Sequence, residues 1–140
     1  MCVLRASGAD FDPDAFLSES PFEAFKILRR GEPRLPRSAP NGPKITYSGI
    51  TLVVSRASMN DLPTQVDDAE HFLEFHRTEV ERLAQMPGIT DLTLDFPIEL
   101  RIGDPGVVAQ FDRFPATLVR LAAAFGIAIE LSIYPREGET

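Results

Sequence analysis

The sequence predicts an α+β domain with a ferredoxin-like split βαβ arrangement, extended by an added C-terminal helix and strand. Three observations predict it: the order of strand-like and helix-like segments, a long amphipathic helix in mid-chain, and two strands in which apolar and polar residues alternate. The alternation predicts helices mainly on one sheet face and a polar opposite face. We expect a single domain over residues 1–135 and a frayed tail over residues 136–140.

The stretch from Asp61 to Pro87 predicts one long, continuous central helix. Asn60 or Asp61 can cap the first turn, and Pro63 suits an early helical position because its missing N–H has no partner there. The apolar residues recur at three- and four-residue steps and so form one stripe. They are Val66, Ala69, Phe72, Leu73, Val80, Leu83 and Ala84. We expect this helix to lie across the sheet.

Three strands and one short helix are predicted before the central helix. The strands cover residues 2–7, 25–29 and 45–55, and the helix covers residues 13–20. Asp12 is the predicted N-cap of the short helix, and Pro13 is its first residue. Residues 31–43 contain Pro33, Pro36, Pro40 and Pro43. We expect a loop there, because proline cannot donate a hydrogen bond to a strand ladder.

Two strands and one helix are predicted after the central helix. Apolar and polar residues alternate over residues 91–96 and, still more regularly, over residues 127–134. Between these two strands, a helix is predicted to begin at Pro115 and to end at Gly126. The apolar side chains of these strands would face the helices. The polar side chains would form the other face: Asp91, Thr93, Asp95, Glu130 and Ser132. Arg5, on the first strand, is the expected cross-strand partner of these carboxylates.

Composition and charge exclude several classes of function. The chain has 140 residues, of which 44% are apolar and 25% charged, as in ordinary globular domains. Its net charge of −7 opposes binding to nucleic acid and suits a basic protein partner, or simply keeps the protein in solution. We expect no membrane contact, because no apolar run is long enough to span a bilayer. The single cysteine fits the reducing cytoplasm, where we place the protein.

Four stretches together carry a resemblance to a known family. They are residues 11–14 (FDPD), residues 30–33 (RGEP), the central helix, and residues 111–115 (FDRFP). With this set, the chain resembles an uncharacterised family of small bacterial proteins classed as a domain of unknown function. The resemblance implies a bacterial cytoplasmic protein of this size, and it brings no catalytic residue, cofactor or partner with it.

His76 and Tyr47 are the candidate residues for a ligand pocket. His76 lies in the apolar stripe, one turn from Leu73 and Val80. Burial there could tune its pKa for catalysis or ligand binding, but a core histidine that hydrogen-bonds to a backbone carbonyl or a hydroxyl is the commoner explanation of such a position. Tyr47 could stack on a ligand or pack against a neighbouring strand. We expect no metal or cofactor site, because the chain has only two histidines and one cysteine, and its glycines form no phosphate-binding loop.

Charged residues supply the other candidates. The loop around Arg30 and Arg34 is the only basic cluster; it could bind an acidic partner, or its arginines could cover a sheet edge and pair with nearby carboxylates. Asp91, Asp95 and Glu130 could hold a hard cation, or they could form charge pairs on a solvated sheet face.

Two functions follow from these candidates. The first is a non-enzymatic binding or interaction protein, self-associating or immunity-like, that uses the polar sheet face or the arginine loop; an acidic immunity or antitoxin-like protein would mask a basic toxin. The alternative is a small enzyme or ligand sensor whose pocket lies between the central helix and the sheet, near His76 and Tyr47. A solvent-open His76 beside a carboxylate would favour the alternative, and a packed His76 would leave only surfaces.

Overall fold

The computed structural model describes residues 1–136 and has the α+β architecture that the sequence predicts. Its elements are β1 (Cys2–Gly8), α1 (Pro13–Leu17), β2 (Lys26–Leu28), β3 (Pro33–Leu35), β4 (Ala39–Lys44), β5 (Ser48–Ser55), α2 (Leu62–Phe75), α3 (Arg77–Ala84), β6 (Asp91–Glu99), α4 (Ala116–Phe125) and β7 (Ala128–Tyr134). Residues 137–140, most of the predicted tail, lie outside the described residues.

The main sheet has five strands in the order β2-β5-β1-β6-β7. The first four strands of this order pair antiparallel, so β1 runs parallel to β2 with β5 between them, and β5 runs parallel to β6 with β1 between them. Each βαβ unit is therefore split by a strand of the other, which confirms the predicted topology. Through α4, β7 joins the edge of the sheet parallel to β6, as the predicted C-terminal extension.

The hydrophobic core lies on one face of this sheet, which we call the core face. Leu4 pairs with both Leu52 and Leu94, and Leu94 pairs with Ile129, so one register places four apolar side chains in a row across the sheet. Helices α1, α2 and α4 each pack against strands of the sheet, and their buried side chains join the same core cluster. The helices thus cover one face only, as the strand alternation predicts.

The central helix is broken at His76, so the prediction of one continuous helix is wrong. His76 has φ −102° and ψ 26°, and it separates α2 from α3. Its ring lies 5.0 Å from the Phe22 ring and 4.8 Å from the rings of both Phe72 and Phe75. The predicted apolar stripe is nevertheless buried on both sides of the break. Of the two halves, α2 packs on the sheet against β5 and β6, whereas the main contacts of α3 are with α2 and α4.

The proline-rich segment forms a hairpin, which corrects the prediction of a loop. Strands β3 and β4 pair antiparallel, with Pro33 opposite Lys44 and Leu35 opposite Ala39. Beyond the strands, the N–H of Gly31 donates to the carbonyl oxygen of Ile45 at 2.8 Å. The two-stranded sheet tolerates proline, because every strand in it is an edge strand whose outward N–H groups need no partner.

In the chain from residue 1 to residue 136, no helix combines the length and the hydrophobicity that a membrane span requires.

Candidate functional site

The sheet face opposite the core carries mostly polar side chains, and we call it the open face. Alternation and register place on it the following residues: Lys26, Thr51, Val53, Val3, Arg5, Ser7, Asp91, Thr93, Asp95, Glu130 and Ser132. A row of paired residues crosses the centre of the open face: Lys26 pairs with Thr51, Thr51 with Arg5, and Arg5 with Thr93. Four of the five strands therefore contribute a charged or hydroxyl side chain there. The predicted polar face is therefore present.

Arg5 is the centre of an ion-pair network on the open face. Its Nη1 donates to Oδ2 of Asp95 at 2.8 Å, and its Nη2 donates to Oε2 of Glu130. The hydroxyl of Ser132 donates to the other oxygen of Asp95. Burial lowers the pKa of Arg5, but the hydrogen bonds and charges of Asp95 and Glu130 raise it above the usual value. The guanidinium therefore stays charged and fixes both carboxylates in place.

Beside this network lies a groove of about 380 Å³, which we call the open-face groove. Arg5, Ser7, Thr51 and Asp91 supply its polar lining, and Leu28 and Tyr47 are among its apolar walls. The carboxylate of Asp91 is exposed at one end and accepts a hydrogen bond of 2.9 Å from the Thr93 hydroxyl. The groove is the size of a small-ligand site and combines an aromatic wall with several hydroxyl groups.

The β3–β4 hairpin extends this groove toward the β2 edge. A shallower concavity of about 300 Å³ is lined by Lys26, Leu28, Arg34, Ile45 and Tyr47. It shares Leu28 and Tyr47 with the open-face groove. Two cations therefore lie on the β2 side, whereas the carboxylates of Asp91, Asp95 and Glu130 lie on the β6–β7 side. The open face is basic at one edge and acidic at the other.

The arginine loop pairs with carboxylates of the β1–α1 region. Arg29 binds Asp14 through two hydrogen bonds of 3.0 and 2.8 Å, and the bond from Arg29 holds the pKa of Asp14 below its usual value. Arg30 lies 3.4 Å from Asp10 and donates to the carbonyl oxygen of Ala9 at 3.3 Å. This pairing agrees with the second of the two interpretations of the loop. Arg34 is exposed and pairs with no carboxylate among residues 1–136.

His76 lies away from the open face, in an aromatic cluster with Phe22, Phe72 and Phe75. Its ring is half-buried. Tyr47 lines the open-face groove instead. The structure therefore does not bring these two residues together, although the sequence suggested a shared pocket.

A second groove, of about 530 Å³, lies between the second half of β5 and the segment that precedes β2. Phe22, Phe25 and Phe72 line it together with Val53 and Arg56. Phe25 is largely exposed although it is aromatic. Phe25 was predicted to lie in a strand, and the groove was not predicted, because it depends on the path of residues 21–25 as the chain enters β2.

Asp91, Asp95 and Glu130 do not converge on a cation site. Arg5 occupies the space between Asp95 and Glu130, and Asp91 accepts its hydrogen bond from Thr93. Among residues 1–136 no three His, Cys, Asp or Glu side chains gather in a way that could hold a metal ion. The three carboxylates form charge and hydroxyl pairs on the sheet.

The carboxylates and Arg5 were predicted to share this surface, whereas Ser7, Thr51 and Lys26 were not named with them. For Ser7 and Thr51, alternation with buried neighbours along β1 and β5 was the available signal, whereas β2 has no buried residue to give one for Lys26. No protein-family model, curated protein or solved structure matches this chain.

Proposed function

We propose that this protein is a non-enzymatic interaction module whose open face docks a basic segment of a partner protein. The observation that supports it is the Arg5 network, which holds carboxylates in fixed positions on a helix-free sheet face. Side chains that are already ordered lose little conformational entropy when a partner binds. The face therefore offers a preorganised surface rather than a set of mobile charges.

The acidic side of the open face sets the partner's chemistry. Asp91, Asp95 and Glu130 lie on β6 and β7, and Arg5 balances only one of their three charges. The net charge of the whole chain, −7, would add long-range attraction for a basic protein. The Tyr47 ring and Leu28, in the adjoining groove, supply apolar contact area.

An immunity or antitoxin-like role fits this surface. Such a protein covers a basic site on a toxin, and its affinity depends on complementary charge and on a rigid docking face. This assignment agrees with the resemblance to small bacterial proteins, and it requires no cofactor. The partner would contact β6 and β7 and extend across Arg5 into the open-face groove.

The alternative, a small enzyme or ligand sensor built around His76, has less support. The partners of the His76 ring are three phenylalanine rings, with centroids within about 5 Å of its own. A general base needs an acceptor or donor within hydrogen-bond reach of its substrate, usually with a second group that orients it. The packed environment of His76 favours a structural role.

Site-specific photo-crosslinking in the native host tests the proposal. A benzoylphenylalanine at Ala128, which is exposed on β7 opposite Thr93, is compared with one at Glu74, which is exposed on α2. We expect the Ala128 position, but not the Glu74 position, to crosslink a basic protein. The purified partner should then bind Asp91→Asn several-fold more weakly than wild type, while Glu74→Gln, with the same charge change, binds normally. Crosslinking from Glu74 alone, or an acidic partner, would overturn the proposal.

A further inference from the structure

The strand β7 has a free edge, opposite its pairing with β6. The N–H of Leu100 donates to the carbonyl oxygen of Tyr134 at 2.8 Å, so the backbone of Tyr134 faces β6. Because this direction alternates along a strand, the N–H and C=O groups of Ile129, Leu131 and Ile133 point to the free edge. Within residues 1–136 no backbone or side-chain group pairs with them there.

This edge lacks the features that usually prevent edge-to-edge pairing. Between Ala128 and Tyr134 there is no proline or lysine, and the only charge, Glu130, is bound to Arg5. The strand pairs with β6 in unbroken register over all its residues, so no bulge twists it away. Ile133 is 56% exposed although it belongs to the core face. An exposed, apolar and regular edge of this kind is a template for another strand.

We propose that a second copy of this chain pairs antiparallel with β7, so that two five-stranded sheets form one continuous sheet. The pairing is isologous, as in a two-fold symmetric dimer. This inference concerns a different surface from the proposed function and does not depend on it. The occupant is a second copy because β7 is complementary to itself in one particular register.

That register is centred on Leu131. The residues with free backbone groups then meet each other: Leu131 pairs with Leu131 of the second copy, and Ile129 with Ile133 of the second copy. Glu130 lies opposite Ser132 of the second copy, so like charges are not opposed. Centring the pairing on Glu130 would place two carboxylates face to face, and centring it on Ser132 would leave Ile129 unpaired.

The same register extends both faces of the sheet. On the core face, Ile133 is covered by Ile129 of the second copy, which removes exposed apolar surface from water. On the open face, the acidic β6–β7 sides of the two copies become neighbours at the centre of the joined sheet, and each Glu130 keeps its own Arg5. A dimer of this form would present two open-face grooves on one surface.

Light scattering coupled to size-exclusion chromatography tests the proposal on the full chain. We expect wild type to have twice the monomer mass and to dissociate on dilution. Ile133→Lys should weaken self-association more than about tenfold, because a charge would enter the apolar row of the joined sheet. Leu35→Lys is the matched control: Leu35 is 59% exposed and lies on the distant hairpin, so this variant should remain dimeric. Circular dichroism checks that both variants are folded.

Disulfide trapping tests the register. In a Cys2→Ala background, Leu131→Cys should form a covalent dimer, because hydrogen-bonded antiparallel partners are about 5.5 Å apart at Cα, within the range that a disulfide spans. Ile129→Cys should not form a covalent dimer, because Ile129 lies opposite Ile133 of the second copy and not opposite another Ile129. A wild type that stays monomeric at every concentration, an Ile133→Lys variant that still dimerises, or efficient trapping through Ile129→Cys would overturn the proposal.

Discussion

Arg5 on β1 and Asp95 on β6 are diagonal neighbours across the two strands, with Nη1 of the arginine 2.8 Å from Oδ2 of the aspartate. The Asp95 side chain is 13% exposed, whereas that of Glu130, the second partner of Arg5, is 52% exposed. The two ion pairs therefore differ in environment, although they share one guanidinium. Solvent weakens the outer pair much more than the inner pair.

Arg5→Gln should destabilise the protein by about 1–3 kcal/mol, because it leaves the Asp95 carboxylate on the sheet without its charged partner. Glu130→Gln should cost less than about 1 kcal/mol, since its pair with Arg5 is solvent-exposed. Urea denaturation of both variants measures the difference. If both variants lost the same free energy of unfolding, the Arg5–Asp95 pair would contribute nothing beyond the Arg5–Glu130 pair.

Gly8 should not tolerate a side chain. A Cβ at Gly8 would lie 1.7 Å from the carbonyl oxygen of Gly88, a backbone atom that cannot move aside. We expect Gly8→Ala to cost about 3 kcal/mol or more. Gly31→Ala is the control: Gly31 has φ +90° and no atom near its Cβ position, so only the left-handed backbone contributes, at about 1–2 kcal/mol. Chemical denaturation compares the free energies of unfolding of the two variants. A Gly8→Ala variant as stable as Gly31→Ala would contradict the close approach of the Gly88 carbonyl oxygen to Gly8.

The Cys2 thiol should be inert in the folded protein. Burial, aided by the charge of Asp95, raises its pKa from 9.0 to about 12. Thiol reagents should therefore react only as fast as the protein unfolds, because the thiolate is the nucleophile. Above pH 9 the unfolded thiol loses its proton while the folded one keeps it. As the pH rises above 9, the free energy of unfolding of wild type, relative to that of Cys2→Ala, should therefore fall by at most about 1.4 kcal/mol per pH unit.

Alkylation kinetics and denaturation between pH 8 and pH 10 check both expectations for Cys2. Rapid alkylation under native conditions would mean that the start of β1 opens without global unfolding. A stability difference from Cys2→Ala that stays constant with pH would contradict the raised pKa.

His76→Ala should lower the melting temperature and leave partner binding unchanged. The substitution removes contacts with three phenylalanine rings at the junction of α2 and α3, and we expect a loss of about 1–2 kcal/mol. Calorimetry measures the first effect, and titration with the crosslinked partner measures the second. Lost function with an unchanged melting temperature would instead favour the enzyme or sensor hypothesis.

Local sequence patterns were sufficient to predict much of the fold. The period-two alternation of β6 and β7 assigns each side chain to a face without knowledge of the neighbours. The helix ends follow from single residues: Asp12 accepts a hydrogen bond of 3.1 Å from the N–H of Ala15, and Gly126 ends α4 at φ +71°. The Arg5 network follows once the strand order is known, since that order places β1 beside β6.

Features that depend on distant residues could not be predicted in this way. The break at His76 accompanies ring contacts with Phe22, which is far away in sequence. The open-face groove combines Tyr47, which immediately precedes β5, with Arg5 of β1, and these residues are far apart in sequence. Gln65 is fully buried, and its amide donates to the carbonyl oxygens of Ser58 and Pro97. Gln65 was not predicted to lie on the buried stripe, although it stands four residues before Ala69.

The central claim is that the open face, and not the helical surface, is the docking site for a basic segment. Amide chemical shifts of the protein, followed during titration with a capped peptide of alternating lysine and valine, test it most directly. We predict salt-sensitive shifts around Arg5, Asp91, Asp95 and Glu130, and none with the matching glutamate–valine peptide. Shifts confined to α2 and α3, which carry their own carboxylates, or equal shifts with both peptides, would contradict the claim.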